Sequence, residues 1–185
     1  QMQEILKDVE IKMGKTVDIL AKDFAAVRAG RANPAILDKV TVDYYGTATP
    51  IAQVGNISIP DARTILIQPW DASILGDVEK AIQKADLGIN PNNDGKCIRL
   101  SIPALTEERR KELVKDIHKI AESARVSIRN IRRDGVDKLK DMKKKSEITE
   151  DDLKDAEGKV QKSTDKYVKE VDTLLAAKEK EILTV

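Results

Sequence analysis

The sequence predicts an α+β protein: an elongated antiparallel three-helix bundle into which a small α/β domain, β-sandwich-like with one main helix, is inserted. Three observations predict it. All six prolines fall between Arg31 and Leu105, and only 15 of those 75 residues are charged, against 50 of 110 in the flanks. The flanks carry apolar residues at helical spacing, while the middle alternates with the period of strands. A proline-punctuated middle between two proline-free, charge-rich flanks reads as an insertion, which is tolerated because domain termini usually lie close together at the surface. The boundaries that follow are 1–30 with 106–185 for the bundle and 31–105 for the insert.

In the first flank Val9, Met13, Val17, Leu20, Phe24 and Val27 recur at steps of three and four, one face of a helix. Gly14 interrupts it at a cost of about 1 kcal/mol relative to alanine. The helix is expected to end at Arg28-Ala29-Gly30, with Gly30 as C-cap and Pro34 just beyond.

The second helix starts at Thr106, an N-cap followed by Glu107 and Glu108, whose charge suits a helix N-terminus. Its stripe runs Leu113, Ile117, Ile120, Ala124, Ile128, Ile131, Gly135, Leu139 and Met142, close to the 3.6-residue period. Lys143, Lys144 and Lys145 close it, which places it at about 60 Å long.

The third helix opens on Thr149 with Asp152, an acidic variant of the capping box. Leu153, Val160, Tyr167 and Leu174 repeat every seven residues, a coiled-coil-like seam. Only Ser146 and Glu147 separate the second helix from Ile148, so the two are antiparallel neighbours.

In the middle, segments 40–45, 63–67 and 96–102 are β-branched or alternating and read as strands. Gly46-Thr47 and Pro60-Asp61 mark turns. Ile74, Val78, Ala81, Ile82 and Ala85 form one helix between two of those strands. The connections to the bundle are short, and Gly30, Arg31, Pro103, Ala104 and Leu105 are the expected hinge.

Composition excludes several functions. The chain is 41% hydrophobic, too apolar for disorder, and no apolar run approaches the roughly 20 residues that cross a bilayer. Gln1 to Glu10 holds no secretory signal. One cysteine, Cys97, and one histidine, His118, offer neither a disulfide nor a metal site, and neither has a catalytic partner near it in sequence. Gly95-Lys96 lacks the upstream glycine and following Ser/Thr of a phosphate loop. Asp151 and Asp152 complement a helix dipole. The expectation is no enzyme, no metal, no cofactor and no membrane.

The arginines are more informative. On a helical wheel Arg129, Arg132 and Arg133 lie about +40°, −20° and +80° from Arg125, beside the buried stripe. Residues 125–145 carry nine basic and three acidic residues in a chain of net charge +1. A solvated face is the bland reading, since Asp134, Asp137 and Asp141 are available for pairing at helical spacing. Arginine's planar fork suits phosphate, and a ridge of four suits a nucleic-acid backbone. With 3% aromatics, stacking on single strands has few platforms, which favours a structured nucleic acid read by shape.

Several motifs then carry a resemblance. Leu105-Thr106-Glu107-Glu108-Arg109-Arg110, Arg125 to Asp134, Tyr44-Tyr45-Gly46-Thr47, Asp86 to Pro91 and Arg28 to Pro34 stand in one order along the chain. In them the sequence closely resembles the bacterial ribosome recycling factor family over its whole length. The resemblance implies an L-shaped molecule of transfer-RNA dimensions in the cytoplasm, a monomer that acts with elongation factor G and GTP to split the post-termination ribosome into subunits. It implies that Arg129 and Arg132 grip large-subunit ribosomal RNA, with Arg133, Arg28, Arg31, Arg109 and Arg110 on the same surface. It further implies that the insert is pushed by elongation factor G while the bundle bears on the bridge between the subunits. Three positions depart from the family's pattern: Ala48 and Ala104 stand where prolines are common, and Gly135, in place of a helix former, is expected to soften the second long helix. The alternative from another class is a helical-bundle adaptor whose seams, above all the heptad positions of the third helix, bind partner helices.

Overall fold

The computed structural model describes residues 1–184. They divide into two compact units, residues 1–28 with 107–184 and residues 29–106.

The first unit is a bundle of three helices, α1 (Met2–Ala26), α3 (Glu107–Lys144) and α4 (Glu150–Leu183). Residues near the start of α1 lie against the end of α3, and Ile19 and Leu20 lie against Ile120 and Ala124, so α1 and α3 are antiparallel. The start of α4 is as the sequence predicts. Thr149 accepts from the Asp152 N–H at 3.0 Å, and Asp152 accepts from the Thr149 N–H at 3.1 Å.

The expected end of α1 is corrected. The helix stops at Ala26 with an extended Val27 after it, so Gly30 is not its cap. Gly30 has φ +75°, and a Cβ there would lie 2.9 Å from Leu105 Cγ. Glycine is required by both the left-handed backbone and the approach of the returning chain.

The seam of α4 is also corrected. Leu174 is only half-buried and Leu175 enters the core in its place. The buried set is Leu153, Ala156, Val160, then Thr164, Tyr167, Val171, then Leu175, Lys178, Ile182, which repeats every eleven residues. Eleven residues in three turns is close to the natural helix period, so no heptad supercoil is imposed. In α3 the same interval separates Leu113, Ala124 and Gly135, and also Ile117, Ile128 and Leu139. Ala121 is fully buried in place of the expected Ile120; Ile120 and Ile131 are half-buried on the side facing α1.

Among the described residues the second unit holds six strands, one α-helix and three short 3-10 helices. β1 (Thr41–Tyr44) and β2 (Thr47–Pro50) form a two-stranded antiparallel sheet. Tyr45 and Gly46 join them with φ +52° and +82°, the positive pair that a two-residue hairpin needs. β3 (Gly55–Asp61), β4 (Thr64–Pro69), β5 (Pro91–Asn93) and β6 (Ile98–Ser101) form an antiparallel sheet in the order β3-β4-β6-β5. The helix α2 (Leu75–Lys84) buries Leu75, Val78 and Ile82 in a core shared with Ile65, Ile67, Ile98 and Leu100. Both ends of the insert are tied to the turn after β3: the Ala32 N–H donates to the Ala62 carbonyl and the Ile102 N–H to the Arg63 carbonyl, each at 2.7 Å.

Candidate nucleic-acid interface

The arginines of α3 separate into three situations. Arg125 is 20% exposed and committed within the bundle: its Nη2 and Nε donate to Asp172 Oδ1 at 2.7 and 3.1 Å, and its Nη1 donates to Glu122 at 3.1 Å. It therefore belongs to the α3–α4 seam, which corrects its place in the outward ridge. Those bonds, that to Asp172 first, raise its pKa above the ordinary arginine value. Arg129 is 49% exposed and shares Glu122 at a longer 3.3 Å. Hydrogen bonds from Arg125 and then Arg129 hold the Glu122 carboxyl below its usual range. An exposed pair of this kind is worth at most about 1 kcal/mol, so a stronger anion can take Arg129 away from it.

Arg132 and Arg133 differ from both. Neither has an ion-pair or hydrogen-bond partner among the described residues; Arg132 is half-buried and Arg133 exposed. Arg132 lies eleven residues after buried Ala121, at the edge of the seam, so its stem is anchored. Both line a groove of about 560 Å³ between α3 and α4, together with Lys140 from α3 and Lys154 from α4. Lys154 lies 21 residues beyond Arg133, and reasoning from the sequence does not single it out. No local spacing could find it, since Glu150 and Glu157 stand at pairing distance along α4.

The remaining predicted residues do not join this ridge. Arg109 and Arg110 lie in the first turn of α3, about 30 Å along the axis from Arg129. Arg109 is held by Glu112 at 2.8 Å, and Arg110 is half-buried. Arg28 is exposed just past the end of α1, and antiparallel packing puts it at the same end of the bundle as Arg109 and Arg110. Arg31 is exposed in the second unit.

The side chains set aside as catalysts have ordinary surroundings. His118 is half-exposed with Nε2 3.5 Å from Glu179. Cys97 is half-buried, its N–H donating to Asp94 at 2.7 Å. Gly95 and Lys96 form the β5–β6 hairpin turn, where their N–H groups donate to Asn93 and Asp94. Among the described residues no group of three or more His, Cys, Asp or Glu could hold a metal ion, and no helix is long and apolar enough to cross a membrane.

Comparison with known proteins places this arrangement among relatives. The sequence pattern of a family described as "Ribosome recycling factor" matches residues 20–183. A ribosome-recycling factor of Caldicellulosiruptor saccharolyticus is 62% identical over 184 residues, covering all of both chains. That of Acetivibrio thermocellus is 63% identical over 179 residues, 97% of this chain and 98% of its own. A solution structure of a ribosome recycling factor superposes with a TM-score of 0.77 at 42% identity, over 100% of this chain and 98% of that one. A second similar structure is of the T. thermophilus factor, described with E. coli elongation factor G bound to the E. coli post-termination complex. It has a TM-score of 0.62 at 44% identity, over 99% of both chains.

Proposed function

The chain belongs to the ribosome recycling factor family, and we propose from that premise that it acts with elongation factor G and GTP to separate the post-termination ribosome into subunits for reuse. The bundle holds large-subunit ribosomal RNA near the inter-subunit bridge through Arg129, Arg132 and Arg133. Arg28, Arg31, Arg109 and Arg110 are further basic contacts. The observation that carries this reading is the state of Arg132 and Arg133, cations with no carboxylate partner on a helix where Arg125 and Lys143 are paired. A guanidinium anchored by its stem and open at its fork binds phosphate oxygens in pairs, and its worth is realised only when an anion arrives.

The insert receives the push of elongation factor G, in keeping with the relative described together with that factor on a post-termination complex. Gly30-Arg31 and Pro103-Ala104-Leu105 form the hinge. Ala32 and Ile102 are each pinned to the turn after β3, so rotation is confined to the few residues outside them. The protein works as a monomer and hydrolyses nothing itself, the GTP being spent by its partner.

The test is subunit splitting of post-termination ribosomes, read by light scattering with this protein, elongation factor G and GTP, each omitted in turn. Dissociation only with all three is expected. Splitting that proceeds without this protein, or GTP hydrolysis by this protein alone, would overturn the reading.

A further inference from the structure

The groove between α3 and α4 brings together four cations from two helices, while several other cations near it are held by carboxylates. Lys143 is held by Glu150 at 2.6 Å, Lys145 by Asp141 at 3.1 Å and Lys159 by Asp155 at 3.3 Å. Arg132, Arg133, Lys140 and Lys154 line the groove, and among the described residues none of them has a carboxylate within ion-pair distance. Acids stand at helical spacing, Asp137 three residues before Lys140 and Glu150, Asp151 and Glu157 around Lys154. Glu150, however, is hydrogen-bonded to Lys143 and attracted only from further off by Lys154, and the others come within ion-pair distance of neither lysine. The acids in the lining, Asp137 and Glu157, are outnumbered two to one.

We infer that this groove seats the RNA backbone, with Lys140 and Lys154 as phosphate ligands from two helices beside Arg132 and Arg133. The inference rests on the reading of the bundle as an RNA-binding body and extends it from a ridge on one helix to a cleft between two. A single ridge touches phosphates from one side, whereas cations on two neighbouring helices reach them from both sides of the groove. Lysine serves here as a point charge, so these contacts add affinity and salt dependence without sequence preference.

The test titrates full-length protein against purified large ribosomal subunits over a range of monovalent salt. The variants are Lys140→Ala, Lys154→Ala, Lys154→Arg and Arg132→Ala, with Lys159→Ala as a paired cation outside the groove. Lys140→Ala and Lys154→Ala are each expected to weaken binding roughly eightfold at ~0.1 M salt and to lower the log–log salt slope by about 1. Lys154→Arg restores both, and Lys159→Ala changes neither. If Arg132→Ala loses binding while Lys140→Ala and Lys154→Ala bind like the parent, the cleft falls and the arginine reading stands. If all of them bind like the parent, both fall. Weaker binding at an unchanged salt slope would put an uncharged protein surface in the groove and overturn the RNA assignment there.

Discussion

A Cβ built on Gly135 would lie 2.6 Å from Cγ2 of Val9, closer than two carbons can stand. Both positions are buried, and Val9 is β-branched with little rotamer freedom. Gly135 is therefore a packing residue that lets α1 approach α3, and the softening expected from its backbone freedom is offset by that approach. Gly135→Ala gains about 1 kcal/mol in helix propensity but forces an overpacked contact costing about 1–3 kcal/mol. A net loss is expected in urea unfolding, and Val9→Ala in the same chain should recover most of it, a non-additivity characteristic of touching residues. Additive effects would place the two residues out of contact.

Gly158 is the opposite case. It is exposed in the interior of α4, and a Cβ there meets nothing within 4 Å. Gly158→Ala is expected to raise stability by about 0.8–1 kcal/mol, readable as a higher urea midpoint at constant m-value.

Arg125 and Arg132 should trade effects. Removing Arg125 breaks the bonds to Asp172 and Glu122, so Arg125→Ala should lower stability by roughly 1 kcal/mol and leave most large-subunit affinity in place. Arg132→Ala should weaken large-subunit binding with the thermal midpoint nearly unchanged. Calorimetry and subunit binding on the same two variants separate the roles.

Glu10 makes the bundle sensitive to acid. Its carboxylate accepts from Ser163 Oγ and Tyr167 Oη, both at 2.7 Å, and from Lys166 Nζ at 3.2 Å. These bonds, that from Ser163 first, hold its pKa below the ordinary 4.5. A carboxyl with a lowered folded pKa stabilises the fold above its unfolded value, and the contribution is lost as pH falls through the folded value. Urea midpoints of the parent and Glu10→Gln should therefore differ at neutral pH and converge as the pH drops well below 4.5. A constant gap would assign the effect to packing.

What the sequence discloses here is what local chemistry decides. The Thr149–Asp152 box lies within four residues and can be read directly, as can the β1, β4 and β6 segments with their β-branched residues. β2 has no apolar alternation, β5 is the three residues Pro-Asn-Asn, and β3 carries Gly55 and Pro60. β3 and β5 are edge strands, where proline is tolerated and the usual pattern lapses. Periodicity locates the long helices but not which of Ile120 and Ala121, or Leu174 and Leu175, turns fully inward, because that depends on which neighbour lies on each side. The commitment of Arg125 depends on Asp172, 47 residues away, and no local spacing announces it. The two lysines that line the groove are hidden for the same reason, since α3 and α4 contribute one each.

The spacing of buried residues along α4 makes this rod divisible. Each eleven-residue unit returns the helix to nearly the same orientation, about 16 Å further on. Removing one such unit from each of the three helices at matching depth would shorten the reach of the bundle while every surviving core side chain kept its neighbours. Removing five would turn Leu175, Lys178 and Ile182 by about 140°, away from α1 and α3. The distance spanned by this protein can thus change by lengths that restore the buried face, about seven or eleven residues, and not by the lengths between them.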